Sequence, residues 1–136
     1  MSDFILKINN DFDALPAAAE AVTQFLESNN ASPDVVFAAN LAIEEIVTNI
    51  IKYGYDDALK HEITVRLEVT ENTLNLEICD DGKEFNPFDQ PEPDISDPSE
   101  GSRIGGLGIH FVRKMVDVCA YHRRDGRNIV KLRRKL

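Results

Sequence analysis

Residues 61–70 (HEITVRLEVT) and 72–79 (NTLNLEIC) alternate apolar and polar side chains with period two, and they meet at Glu71-Asn72. That pattern constrains the fold more than any other feature. Successive side chains on a strand point to opposite faces, so Ile63, Val65, Leu67 and Val69 share one face, as do Leu74, Leu76 and Ile78. A two-residue connection predicts an antiparallel hairpin. One apolar face and one polar face predict a sheet covered by helices on a single side.

The covering helices are also legible. Asp11 or Asp13 caps a helix expected over Ala14–Ser28, with Pro16 in its first turn and Leu15, Ala18, Ala19, Val22, Phe25 and Leu26 at helical spacing. After Asn29-Asn30, the run Ser32-Pro33-Asp34 supplies an N-cap, a Pro at the first helical position and an early acid. The second helix is expected to reach Tyr53, with Gly54 as its C-cap. Its stripe is Val36, Ala39, Ile43, Val47 and Ile50, and Glu45 and Asn49, one turn apart, are expected roughly opposite it. A short strand is predicted at residues 4–8, a helix at 109–116, and strands at 118–124 and 128–134 joined by Asp125-Gly126. The order β-α-α-β-β-loop-α-β-β predicts an α+β two-layer sandwich, a mixed sheet covered on one face by helices.

At 136 residues the chain has the size of one domain, 1–136. No apolar run approaches the roughly 18 residues that span a bilayer, and MSDFILKINN has no signal-peptide pattern. Cys79 and Cys119 are too few for a disulfide framework or a zinc site. A cytoplasmic protein with no membrane role is expected. Net charge is −9, split between −16 over residues 1–112 and +7 over residues 113–136. The acidic body argues against direct nucleic-acid binding, which draws on many Lys/Arg–phosphate contacts. The basic tail is expected to be solvent-facing strand charge, with Arg123 and Arg124 as candidates for partner docking.

Four segments could carry chemistry. Glu45-x-x-x-Asn49 pairs a carboxylate with an amide oxygen, a hard ligand suited to Mg²⁺. Asp80-Asp81-Gly82 ends a strand with an acceptor for a ligand amine, followed by a residue that admits close approach of a flat ring. Arg103-Ile104-Gly105-Gly106-Leu107-Gly108-Ile109 could aim backbone N–H groups at a phosphate; it matches neither the P-loop nor G-x-G-x-x-G. Gly126-Arg127-Asn128 could bring Asn128 to a ligand. Each also has a plain reading: a polar helix face, an Asp-Gly turn, a helix entry, a hairpin turn. Residues 83–104, which hold Pro87, Pro91, Pro93 and Pro98, are expected to form a lid or loop.

In this order the segments resemble the nucleotide-binding boxes of the GHKL (Bergerat-fold) ATPases, in the variant seen in bacterial anti-sigma-factor serine/threonine kinases. The resemblance implies a histidine-kinase-like ATPase fold, ATP and Mg²⁺. It implies Asn49 as the Mg²⁺ ligand, Glu45 as general base, and Asp80 on the adenine amine with Gly82 beside the ring. It further implies Gly105, Gly106, Leu107 and Gly108 at the phosphates. The activity implied is transfer of the γ-phosphate to a Ser or Thr of an anti-anti-sigma (STAS-type) protein, together with sequestration of a sigma factor; homodimers are common. Two departures stand out. Glu84 replaces a second glycine, and the lid is acidic and proline-rich rather than helical. They leave a second reading, a nucleotide- or partner-binding regulatory module without kinase activity.

Overall fold

The computed structural model describes residues 2–89 and 104–136, the side chains of residues 104–107 excepted. Five strands form one sheet: β1 (Ser2–Asn9), β2 (Glu62–Val69), β3 (Thr73–Asp80), β4 (Val118–Arg124) and β5 (Arg127–Lys135). Their order is β1-β2-β3-β5-β4. Three helices, α1 (Leu15–Ser28), α2 (Pro33–Tyr53) and α3 (Ile104–Met115), cover one face. Among the described residues no helix is long and apolar enough to cross a membrane.

The β2–β3 hairpin forms as its pattern dictates. Leu67 faces Leu76 and Val65 faces Ile78, and all four lie within the core. Thr70 and Thr73 close the turn through backbone and hydroxyl hydrogen bonds. Asp125 and Gly126 both take positive φ, 53° and 76°, and so give the right twist to the β4–β5 hairpin. The α+β two-layer expectation holds, but the sheet is not mixed, since all four strand pairings are antiparallel. The reason is topological. β5 returns from its hairpin with β4 and inserts beside β3, which leaves it antiparallel to both neighbours.

The helices begin and end on the cues of the sequence. A short 3₁₀ turn at Phe12–Ala14, capped by the Asp11 carboxylate, leads into α1. The Ser32 hydroxyl accepts from the Val35 N–H, and Gly54 N–H closes the far end of α2 on the Ile50 carbonyl. Two details differ from expectation. First, α2 lies between α1 and α3, so its buried arc is wide and includes Asn49, only 8% exposed. Glu45 and Asn49 therefore do not sit on an outer face. Second, α3 starts at Ile104, not at Ile109, so Gly105, Gly106, Leu107 and Gly108 are inside its first turns rather than in a loop before it. Of the expected 83–104 lid, residues 90–103 lie outside the described residues.

Candidate functional site

The row of β3 side chains facing the helices runs Leu74, Leu76, Ile78 and ends in Asp80. The matching row of β5 runs Leu132, Val130 and ends in Asn128. Register places Asp80 opposite Asn128, so two polar groups close two apolar ladders at the same edge of the core. Both are buried, 2% and 3% exposed. The Asn128 NH₂ donates to Asp80 Oδ1 at 3.0 Å, and Gly82 N–H donates to the same oxygen at 2.8 Å. No described residue donates to Asp80 Oδ2. Burial raises the Asp80 pKa, the Asn128 and Gly82 donors oppose that, Asp81 reinforces it and Arg123 opposes it. The site therefore holds an acceptor, fixed on one oxygen and available on the other.

A narrow cleft opens in front of this carboxylate. Ile46, Ile50, Val130, Phe85 and Pro87 give it apolar walls, and Asn49, Lys83 and Asn128 stand with Asp80 as its polar groups. Apolar walls with a few fixed polar groups are the lining of a small-molecule site, and the space enclosed here, about 10 Å³, is that of one water. Gly54 and Gly82 meet behind it. A Cβ on Gly82 would lie 2.7 Å from the Gly54 carbonyl oxygen, and that carbonyl accepts from Lys83 N–H at 2.8 Å. Gly54 thus does more than cap α2; it seats the turn that follows Asp80.

Asn49 lines the same cleft, and its carboxamide makes no hydrogen bond to another described residue. An amide oxygen on the wall of the cleft suits a hard cation. Among the described residues no cluster of three or more His, Cys, Asp or Glu could hold a metal by itself.

Glu45, one turn earlier on α2, is half-buried against α3. A Cβ on Gly108 would lie 2.5 Å from Glu45 Cγ and closer still to its carboxylate. Gly108 is therefore the seat of the Glu45 head group. Burial, and then the adjacent Glu44, raise the Glu45 pKa, while Lys52 lowers it. Of the basic residues near the boxes in sequence, Lys83 is engaged with Asp56 at 2.9 Å and Arg103 lies outside the described residues.

The structure brings Glu45, Asn49, Asp80, Gly82 and Gly108 to one region between α2, α3 and the end of β3. The backbone of Gly105, Gly106 and Leu107 begins α3 above it. Sequence reasoning left several contributors unassigned: Phe85, Pro87, Tyr121 and Arg123. Arg123, a docking candidate from the sequence, is exposed, and its guanidinium donates to the Gly82 carbonyl at 2.8 Å and to Asn128 Oδ1 at 3.1 Å.

An α+β sandwich with a carboxylate-lined apolar cleft under one helix and beside another defines a nucleotide-binding type of domain. The model of the histidine kinase-like ATPase domain family matches residues 8–134, and the chain belongs to that family. Similar proteins include the serine-protein kinase RsbW of Bacillus velezensis, 30% identical over 82 residues covering 57% of this chain and 51% of that protein. The serine/threonine-protein kinase BtrW of Bordetella bronchiseptica is 26% identical over 96 residues, 71% of this chain and 68% of that one. The match thus spans about half to two-thirds of these relatives. Two solved structures share the fold. One holds the RsbU and RsbW domains of Rv1364c from Mycobacterium tuberculosis (TM-score 0.71, 15% identity, 99% of this chain, 33% of that chain). The other is the SiaB–SiaC complex of Pseudomonas aeruginosa (TM-score 0.57, 16% identity, 100% of this chain, 90% of that chain).

Proposed function

We propose that the chain is an ATP-dependent serine/threonine protein kinase that acts as an anti-sigma factor. It would sequester a sigma factor and phosphorylate a Ser or Thr of an anti-anti-sigma partner of the STAS type. The observation that carries the reading is a single cleft. Asp80 and Asn49 line it, and Glu45 sits on Gly108 beside it. The family membership and the kinase names of the similar proteins support the same class of chemistry.

Each residue then has one task. Asp80 Oδ2 accepts from the exocyclic amine of adenine, and the apolar walls flank the ring. Asn49 would hold Mg²⁺, which when bound screens the charge of the phosphates. The backbone N–H groups opening α3 at Gly105, Gly106 and Leu107 suit phosphate oxygens. Glu45 accepts the proton of the partner hydroxyl as its oxygen bonds to the γ-phosphorus. The bond from that phosphorus to the bridging oxygen breaks, and ADP leaves with the electron pair. A carboxylate whose pKa is raised by burial is a better base than a solvated one. Positioning and charge stabilisation supply the rest, as in other phosphoryl transfers.

The test is transfer of label from γ-labelled ATP to a purified anti-anti-sigma partner. The wild-type chain transfers and Glu45→Gln does not, while both gain thermal stability from Mg·ATP. Normal transfer by Glu45→Gln would remove the base assignment. Tight nucleotide binding without transfer to any partner would favour the module without kinase activity, the reading that the Glu84 departure motivates.

A further inference from the structure

Asn128 is bonded on every side. Its oxygen accepts from the Tyr121 hydroxyl, from Arg123 at 3.1 Å and from Phe85 N–H at 3.3 Å. Its NH₂ donates to Asp80 Oδ1 and, at 2.7 Å, to the Lys83 carbonyl. The two ends of a carboxamide have the same shape, so only their partners decide which way round it sits. Here three donors hold the oxygen end. Tyr121 and Arg123 come from β4, opposite Val130 and Asn128 of β5 respectively, so both arise on the helix-facing side.

We propose that Tyr121 and Arg123 are positioning residues for base recognition. They lock the Asn128 carboxamide with its NH₂ toward Asp80, so that Asp80 offers the cleft an acceptor and the site selects a base presenting an amino group over one presenting a carbonyl. The inference rests on the nucleotide reading above and deepens it. Without either β4 donor, the Asn128 oxygen loses one of its three bonds, and the long one from Phe85 is among the two that remain. The amide then rests mainly on its NH₂ bonds to Asp80 and the Lys83 carbonyl, and the bond to Asp80, the longer of the two, slackens as the amide shifts. Burial already favours the uncharged form of that carboxyl, and a weakened Asn128 bond leaves it freer to shift and to hold a proton. A carboxylic acid donates to a guanine carbonyl as readily as a carboxylate accepts from an adenine amine. Discrimination between the two bases falls even where the pocket walls are intact.

The experiment measures dissociation constants of Mg·ATP and Mg·GTP, and the melting temperature without nucleotide, for the wild-type chain, Tyr121→Phe and Arg123→Met. The wild type prefers ATP. Each variant reduces the GTP-to-ATP ratio of dissociation constants by about tenfold, equivalent to about 1.4 kcal/mol, with little change in melting temperature. A retained ratio overturns the proposal. So does a parallel loss of affinity for both nucleotides with a lower melting temperature, which would mark a packing role only. Tyr121→Phe keeps the ring and removes only the hydroxyl, so it decides the matter if Arg123→Met does not fold. If the wild type binds neither nucleotide, the nucleotide reading itself fails, a result distinct from an unchanged ratio.

Discussion

Gly108→Ala separates the seat of the proposed base from everything else the site does. Gly108 is buried in helical backbone, where Ala is favoured over Gly by about 1 kcal/mol. The added Cβ, however, would stand 2.5 Å from Glu45 Cγ and closer to the carboxylate, against an ordinary carbon contact of about 3.5–4.0 Å. What it meets is the far end of a flexible side chain, so Glu45 yields by about 1 Å or more instead of the backbone. The cost in stability is therefore small, and the helix gain offsets part of it; the net change is expected within about 1 kcal/mol. The cost in catalysis is not small. Misplacing a reacting group by about 1 Å reduces a positioned reaction by about 100-fold, or about 2.7 kcal/mol in the barrier. Initial rates of label transfer and thermal melts with and without Mg·ATP read the two effects separately. The melting temperature and its increase with Mg·ATP persist, because Ala keeps the backbone N–H, while transfer falls about 100-fold. Since Gly108 is argued to act only through Glu45, adding Gly108→Ala to Glu45→Gln costs almost nothing further. Transfer at the wild-type rate by Gly108→Ala, or a further large loss in the double variant, would refute the argument.

Three other outcomes follow from the same structure. Asp80→Asn removes a carboxyl whose pKa burial raises. That carboxyl contributes stability below its unfolded value of about 3.8 and loses the contribution as pH rises through the folded value, so the neutral amide leaves the nucleotide-free protein at least as stable at pH 7. Its melting temperature holds or rises, and the increase with Mg·ATP disappears. His61 stacks on Tyr55 at 4.0 Å and bonds Asp57 at 2.8 Å and Asp81 at 3.4 Å, tying the 55–61 segment to the turn after β3. The Asp57 bond, the largest cause, and Asp81 raise the His61 pKa, so the tie is complete below about 6.5 and is lost as pH rises through the folded value. His61→Gln flattens the melting-temperature profile across that window, and an unchanged profile would count against the tie. Leu67 is fully buried in the central hairpin, and Leu67→Ala lowers unfolding free energy by about 2–5 kcal/mol in denaturant titrations.

Local pattern carried most of the elements. Strand alternation at Ile63–Val69 and Leu74–Ile78, the Ser32-Pro33-Asp34 helix start and the Asp125-Gly126 turn each state their structure within a few residues. Glu45 and Asn49 were legible as one helix face. Their burial was not, because it depends on α3 packing against α2 from sixty residues further along the chain. The glycines illustrate the same limit. Gly105, Gly106 and Gly108 read locally as a loop, since Gly disfavours helix by about 1 kcal/mol. At Gly108 the tertiary contact decides, because only a residue without a Cβ lets the Glu45 carboxylate lie against that turn.

Asn128 marks the boundary between what alternation can and cannot state. Counting back by two from Leu132 and Val130 reaches Asn128, and counting forward from Leu76 and Ile78 reaches Asp80, so both inward-facing polar positions are implicit in the two strands. Their meeting is not implicit. It requires β5 to insert between β3 and β4, and that order is set by the whole connection through α3. Once the order exists, register places Asp80, Asn128 and Arg123 on successive strands in one row. The residues that define the base end of the cleft are thus assembled by strand order from segments more than forty residues apart. No single motif contains them, and for the same reason the locking role of Tyr121 and Arg123 emerges only when the sheet is closed.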